Sequence, residues 1–254
     1  MEQQVTFGNG RGERLAGVLH SPGHTANGLG VLLCHGMESS KESLKLIHLG
    51  ESLSRAGFTV LRFDFAGAGD SSGKFESITC TRQVADLGAA HELLKQHGLT
   101  RVGIMGSSMG GTTALVYAGA EEGVDALVTL AAPIDPRQLI ERDFPPKAMA
   151  LWRAQGFIEF NGRRLNADFL EEAMTIDVAE AVARITCPVL VIHGDGDATV
   201  PVAQAHVLHA ALSGEKGLCI LPGADHRFTR EEDRDTALAR TEEWMARHLR
   251  RPAA

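Results

Sequence analysis

The stretch Arg101-Val-Gly-Ile-Met-Gly-Ser-Ser-Met-Gly-Gly-Thr-Thr-Ala-Leu-Val-Tyr117 decides the architecture of this chain. A short apolar run, Val102 to Met105, stops at Gly106, and a segment rich in Ala, Leu and Val begins after Met109. Between them Gly106-Ser-Ser-Met-Gly110 fits the spacing G-x-S-x-G, with Ser108 at its centre. The reason for the spacing is steric. A serine on a sharp strand-to-helix turn takes a strained backbone, and a glycine two residues to either side lets neighbouring elements approach without a Cβ clash. Such a turn lifts the hydroxyl out of a sheet and aims the first helical N–H groups at the place where an oxyanion would form.

Working outward, the N-terminal side opens with an expected hairpin, Val5-Thr-Phe7 and Leu15 to His20 around the turn-rich Gly8 to Glu13. Gly30-Val-Leu-Leu-Cys-His-Gly36 is a continuous apolar run, as a strand buried on both faces requires. Ser39 or Ser40 is expected to cap a helix running to about Ala56, with Gly57 ending it. Phe58 to Asp64 is the next strand, Gly67 to Gly73 a loop of turns, and Cys80 to His97 a helix leading to the central stretch. Beyond it, Ala126 to Leu130 and Pro188 to His193 read as strands, and about Ala203 to Leu212 as a helix. Leu218 to Leu221 reads as a strand and about Asp233 to Leu249 as an amphipathic helix. Strands alternating with helices give an α/β fold: a mainly parallel central sheet with helices on both faces. Residues 133–185 break that rhythm and are expected to form a small cap inserted after the sixth strand. The core is then 1–132 and 186–254.

Composition narrows the function classes. The 254 residues suit one domain, 44% hydrophobic and 22% charged. The net charge of −7 has its two signs interspersed, which excludes a basic nucleic-acid footprint. No apolar run approaches the roughly 20 residues that cross a bilayer. Met1-Glu-Gln-Gln-Val5 carries neither a charged n-region nor an apolar h-region, so the expected location is cytoplasmic. The four cysteines lack metal-ligand spacing and read as buried thiols, so no metal site is expected. A phosphate-cradling glycine loop is excluded on spacing, and Asp64 beside Gly67-Ala-Gly69 reads as structural, bonding nearby backbone.

An activated serine needs a base to take its proton and an acid to fix the base's tautomer. In an open parallel sheet those groups must come from loops at the carboxyl ends of strands, because those loops converge on one crevice. The loop after Leu218-Cys-Ile-Leu221 supplies His226, and that after Val189 to His193 supplies Asp197, ahead of Thr-Val-Pro201. Asp195 reads as a brace for its own loop, Asp135 as a rarer position for the acid, and Asp225 as a turn residue. Ser108, Asp197 and His226 then follow the Ser…Asp…His chain order. The oxyanion donors are expected to be the N–H groups of Met109 and of Met37, the latter in the loop after Val31 to Cys34, with His35 structural.

Taken together, Cys34-His-Gly-Met37, Arg62 to Glu76, Gly106-Ser-Ser-Met-Gly-Gly111, His193-Gly-Asp-Gly-Asp197 and Gly223-Ala-Asp-His226 resemble α/β-hydrolase serine esterases in order and spacing. The run Arg62-Phe-Asp-Phe-Ala-Gly-Ala-Gly-Asp-Ser-Ser-Gly-Lys-Phe-Glu76 is similar in particular to bacterial feruloyl (cinnamoyl) esterases and their relatives. The resemblance spans nearly all of the chain outside 133–185. It implies hydrolysis of aryl or short-chain acyl esters through an acyl-enzyme, without a cofactor, on a small-molecule substrate by a monomer or homodimer.

The insert departs from that pattern. Five of the thirteen aromatic residues, Phe144, Trp152, Phe157, Phe160 and Phe169, fall in its 53 residues. Phe144-Pro-Pro146 implies a rigid entry, Met149 to Trp152 a helical turn, and Ile158 to Leu165 a hairpin around Asn161-Gly162. Trp152, Phe144, Phe157 and Phe160 are the candidates for lining a substrate pocket. Arg163 and Arg164 read either as contacts for an anionic substrate or as solvated hairpin charges. Two rival functions use the same fold. One is a small serine peptidase, amidase or thioesterase with the same triad; the other is a catalytically silent hydrolase-fold ligand binder.

Overall fold

The computed structural model describes residues 1–23 and 28–250; residues 24–27 and 251–254 of the expected core lie outside them. Eight strands form one sheet in the order β1-β2-β4-β3-β5-β6-β9-β10. They are β1 (Glu2–Gly8), β2 (Arg14–His20), β3 (Leu29–Cys34), β4 (Thr59–Phe63), β5 (Arg101–Ser107), β6 (Ala126–Leu130), β9 (Val189–Gly194) and β10 (Lys216–Leu221). Pairing is antiparallel from β1 through β2 to β4 and parallel from there on. The α/β architecture expected from the sequence is the one observed.

The unbroken apolar runs are explained by two covered faces. In β3, Leu32 and Cys34 pack among α2 (Cys80–Gln96), α3 (Met109–Ala120), α7 (Val178–Ala183) and α8 (Val202–Ala211). Val31 and Leu33 point the other way, onto α1 (Leu44–Arg55) and α9 (Glu231–Leu249). The same alternation splits Val189 and Val191 from Leu190 and Ile192 in β9. Each fully buried aliphatic side chain contributes roughly 1.5–3 kcal/mol.

The first helix begins later than its sequence suggests. Ser43, not Ser39 or Ser40, precedes it, and residues 36–43 form turns instead. The cause is tertiary. Asp64 takes the Lys41 backbone N–H at 2.6 Å and the Lys41 ammonium at 2.9 Å, so Lys41 is drawn inward and its segment cannot coil. Asp64 also accepts the Asp70 N–H, which closes the glycine loop as expected of a structural carboxylate.

Between β6 and β9 the chain leaves the sheet. It forms α4 (Pro136–Asp143), α5 (Pro146–Gln155), the hairpin β7 (Phe157–Phe160) and β8 (Arg163–Asn166), and α6 (Ala167–Thr175) before α7. Phe160 pairs with Arg163 across Asn161 and Gly162, both at positive φ (49° and 76°), the geometry a two-residue Asn-Gly hairpin requires. Trp152, Leu165 and Leu170 anchor a third apolar cluster beneath this insertion, whereas Val178 and Val182 of α7 join the main core. Among the described residues no helix is long and apolar enough to cross a membrane.

Candidate active site

Register brings the chemistry together. Cys34 pairs with Gly106, Ser107 with Leu130, and Gly194 with Leu221, so the loops leaving β3, β5, β9 and β10 emerge at one edge of the sheet. Ser108 sits at the turn from β5 into α3 with φ 53° and ψ −124°, a conformation costing about 1–3 kcal/mol that its surroundings must hold in place. Part of that hold is its N–H bond to the Leu130 carbonyl at 2.8 Å. The flanking glycines are sterically required: a Cβ on Gly106 would strike the Gly110 carbonyl, and one on Gly110 the His35 carbonyl.

The Ser108 hydroxyl lies 3.0 Å from His226 Nε2, and His226 Nδ1 lies 2.7 Å from Asp197 Oδ2. Nδ1–H donates to the carboxylate, which leaves Nε2 free to accept the serine proton. The other Asp197 oxygen accepts the N–H groups of Thr199 and Val200, both at 2.8 Å. Burial alone would raise the Asp197 pKa, but hydrogen bonds from His193, His226 and the Val200 N–H hold it well below the ordinary carboxylate range. The acid therefore stays ionised beside the imidazole.

The other three aspartates do other work. Asp195 takes the Gly223 N–H and braces its loop against the one after β10. Asp135 caps α4 through the Gln138 N–H, and Asp225 takes the N–H groups of Arg227 and Thr229 in its turn. His35 is structural: Nδ1 bonds the Gly36 carbonyl at 2.7 Å and Nε2 accepts the Phe65 N–H at 3.1 Å.

Gly36 packs so closely on Ser108 that an added Cβ would lie 3.3 Å from the serine Cβ. Met37 and Met109 follow Gly36 and Ser108, and both line the cavity over the serine. Neither N–H has a partner among the described residues, which leaves both available to an oxyanion.

That cavity encloses about 680 Å³. Phe144, Trp152 and Phe160, the pocket candidates from the sequence, line it together with Phe169, another of the insert's aromatics, and with Leu139 and Ile140, which sequence reasoning did not single out. Phe157 is a correction. It alternates with Phe160 along β7, so its ring faces the other side of the hairpin and lies under the Arg164 guanidinium at 3.8 Å, outside the cavity wall. Arg163 covers Phe75 at 3.6 Å and approaches Glu38 at 3.4 Å, while Asn161 donates to both Glu38 oxygens at 2.9 and 3.0 Å. The hairpin tip is thus clasped to the residue after Met37. Hairpin charge here serves packing and latching.

Two further residues escaped sequence reading. His193, fully buried at the end of β9, places Nε2 3.3 Å from Asp197 Oδ2. Its i, i+4 spacing to Asp197 was the available signal. Lys45, on α1, reaches Ser107 Oγ at 3.1 Å. No group of three or more His, Cys, Asp or Glu among the described residues could hold a metal ion.

Comparison with known proteins places the chain in a family. The model of the prolyl oligopeptidase family matches residues 47–251. The chain is 30% identical over 222 residues to the uncharacterised protein YqkD of Bacillus subtilis (strain 168), covering 85% of this chain and 70% of that one. It is 27% identical over 247 residues to the thermostable monoacylglycerol lipase of Bacillus sp. (strain H-257), covering 89% and 94%. Among solved structures, Est1E from Butyrivibrio proteoclasticus with ferulic acid bound superposes with a TM-score of 0.88 at 23% identity, covering 97% and 100%. That last likeness is one of fold.

Proposed function

The chain belongs to the prolyl oligopeptidase family, and from that premise we propose that it is a carboxylic-ester hydrolase working through an acyl-enzyme. One observation carries the reading. Ser108, His226 and Asp197 form an unbroken hydrogen-bonded line, 3.0 and 2.7 Å, at the floor of a largely apolar cavity.

In the proposed mechanism Ser108 Oγ attacks the ester carbonyl while His226 Nε2 takes its proton. Asp197 holds the imidazole in the required tautomer and stabilises the imidazolium that forms. The N–H groups of Met37 and Met109 bind the oxyanion, each worth roughly 3 kcal/mol of transition-state stabilisation. His226 then protonates the departing alcohol. Water, deprotonated by the same histidine, attacks the acyl-serine, and Ser108 leaves with the proton returned to it.

Segment 133–185 is the proposed cap, and Trp152, Phe144, Phe160 and Phe169 the residues that roof the acyl group and exclude water from it. The similarity to a monoacylglycerol lipase supports acyl esters as the substrate class. All four cysteines are free, which suits a reducing compartment such as the cytoplasm.

A peptidase reading has the family's own description in its favour. Against it stands the charge of the cavity. Its acids Glu38, Asp143 and Glu172 are each already engaged, by Asn161, by Arg142 and by the N–H of Thr81, which favours an ester over a substrate anchored by its ammonium. Assays with p-nitrophenyl butyrate and an aminoacyl anilide decide between the two. Ser108→Ala should cut ester turnover by ~10⁴-fold or more and abolish labelling by a fluorophosphonate. Retained turnover would overturn the assignment, and preferential anilide cleavage by the wild type would move it to the peptidases.

A further inference from the structure

The cavity wall holds three cations, Lys45, Arg227 and Arg234, and three acids, Glu38, Asp143 and Glu172. The acids lie on the cap or are tied to it, and all have partners. The cations come from α1, α9 and the loop after β10. Arg234 is within 3.6 Å of Glu231 and 3.4 Å of Asp235. Lys45 and Arg227 differ.

Lys45 Nζ has one hydrogen bond, to Ser107 Oγ, and sits 5.6 Å over the Phe228 ring. Among the described residues no carboxylate comes within 4.0 Å of it. The Arg227 guanidinium has neither hydrogen bond nor ion pair among those residues. Burial brings the Lys45 pKa down to about 8; Asp225 opposes that fall and Arg227 adds to it. Asp225 is already committed to the N–H groups of Arg227 and Thr229. Two cations therefore share one cavity wall in a chain whose net charge is −7, and among the described residues neither has an ion-pair partner. An oxyanion bound at that wall would receive charge-assisted hydrogen bonds from them.

Their neighbours support an assignment to one half of the substrate. His226 protonates the leaving alcohol, and Arg227 directly follows it, while Lys45 is bonded to the residue before Ser108. The two methionines of the oxyanion loops pack instead with the cap cluster of Trp152 and Leu165, on the acyl side. We propose that Lys45 and Arg227 form an anion-binding subsite for the alcohol half of the substrate, so that the preferred esters carry a carboxylate or phosphate on the leaving group. The proposal rests on the ester-hydrolase reading and deepens it.

The test compares butanoate esters of three phenols that are matched in reactivity. One carries a carboxylate two methylenes from the ring, one a phosphate at the same distance, and one the neutral methyl amide. Wild type should favour an anionic ester over the neutral one by about tenfold in kcat/KM at low salt, the value of one charged hydrogen bond. The preference should shrink as salt rises. Lys45→Met should bring the ratio close to one, Arg227→Gln should lower it, and Lys45→Arg should retain it. Because the readout is a ratio within one variant, a general loss of folded enzyme does not imitate the effect. The larger of the carboxylate and phosphate ratios identifies the anion. Equal turnover of charged and neutral esters by wild type, or a ratio that survives Lys45→Met, would overturn the subsite alone. No turnover of any of the three would overturn the ester-hydrolase reading beneath it.

Discussion

His193 Nε2 lies 3.3 Å from Asp197 Oδ2, the same oxygen that binds His226, and 2.9 Å from the Val200 carbonyl. One imidazole N–H thus ties Asp197, the proposed catalytic acid, to the far side of its own loop, and the other ring nitrogen has no partner among the described residues. His193→Leu should release Asp197 Oδ2 from one of its two histidines and strand the Val200 carbonyl. Asp197 then becomes easier to protonate and less well aimed. The expected result is a loss of about tenfold in kcat/KM across the pH–rate profile. A profile superimposable on wild type would show that His193 only fills space.

Gly36 offers a test of the proposed oxyanion loop that leaves the side chains of Ser108, Asp197 and His226 in place. A methyl there meets Ser108 Cβ at 3.3 Å and the Ser107 carbonyl at 3.4 Å, so the loop carrying the Met37 N–H must retreat by a few tenths of an ångström. Gly36→Ala should lower kcat by ~10²-fold with little change in KM, because the oxyanion forms only in the transition state. A rise in KM at constant kcat, measured with p-nitrophenyl butyrate, would instead mark Gly36 as part of the ground-state binding surface.

These two residues also show where the sequence could be read and where it could not. Ser108, His226 and Asp197 were legible because each stands a few residues past the end of a buried strand, and a parallel sheet carries all such positions to one edge. Gly36 and Met37 follow from the same rule. The start of α1 was not legible, because it depends on Lys41 reaching Asp64, a contact 23 residues away. Phe157 and Phe160 are both aromatic and three apart on a four-residue strand, and the alternation alone says that they face opposite sides without saying which side is the cavity. Leu139 and Ile140 were missed because a short helix in an insertion takes its inward face from packing against its neighbours. Lys45 was missed because a lysine in a first turn normally reads as solvent-facing.

Trp152 and Phe160 both line the cavity but should fail in different ways. Trp152 is 1% exposed, lies between Phe144 and Phe169 at ring distances of 5.4 and 6.3 Å, and donates Nε1–H to the Leu165 carbonyl at 3.0 Å. Trp152→Ala should cost about 3–5 kcal/mol and loosen the insertion, seen as a lower melting temperature or a separate low-temperature transition. Phe160 is only half-buried, so Phe160→Ala should cost much less while moving the acyl-length optimum of p-nitrophenyl esters toward longer chains. Equal stability losses in the two variants would contradict the division between a cap anchor and a pocket wall.

A buried pair far from the site predicts how stability depends on pH. His91 is 1% exposed and its Nδ1 lies 2.8 Å from the Tyr117 hydroxyl, which donates to it, while Nε2 has no partner among the described residues. Burial, with a smaller push from Lys95, lowers its pKa from 6.5 to about 4, against weaker opposing pulls from Asp125 and Glu92. Between those values the unfolded chain takes up a proton that the folded chain refuses. Stability from this residue is therefore complete above pH 6.5, declines as pH falls toward 4, and changes no further below it. The loss amounts to about 3 kcal/mol over the window. His91→Phe removes the titrating group and leaves the Tyr117 hydroxyl without its acceptor, a cost of about 1 kcal/mol at neutral pH. His20 and His35, whose pKa values burial also lowers, titrate alike in both proteins and cancel in the difference. Urea midpoints measured across the window should then cross, with wild type the more stable near neutrality and His91→Phe the more stable near pH 4.5. Parallel curves would mean that His91 is already protonated in the folded protein, or relieved by water at Nε2.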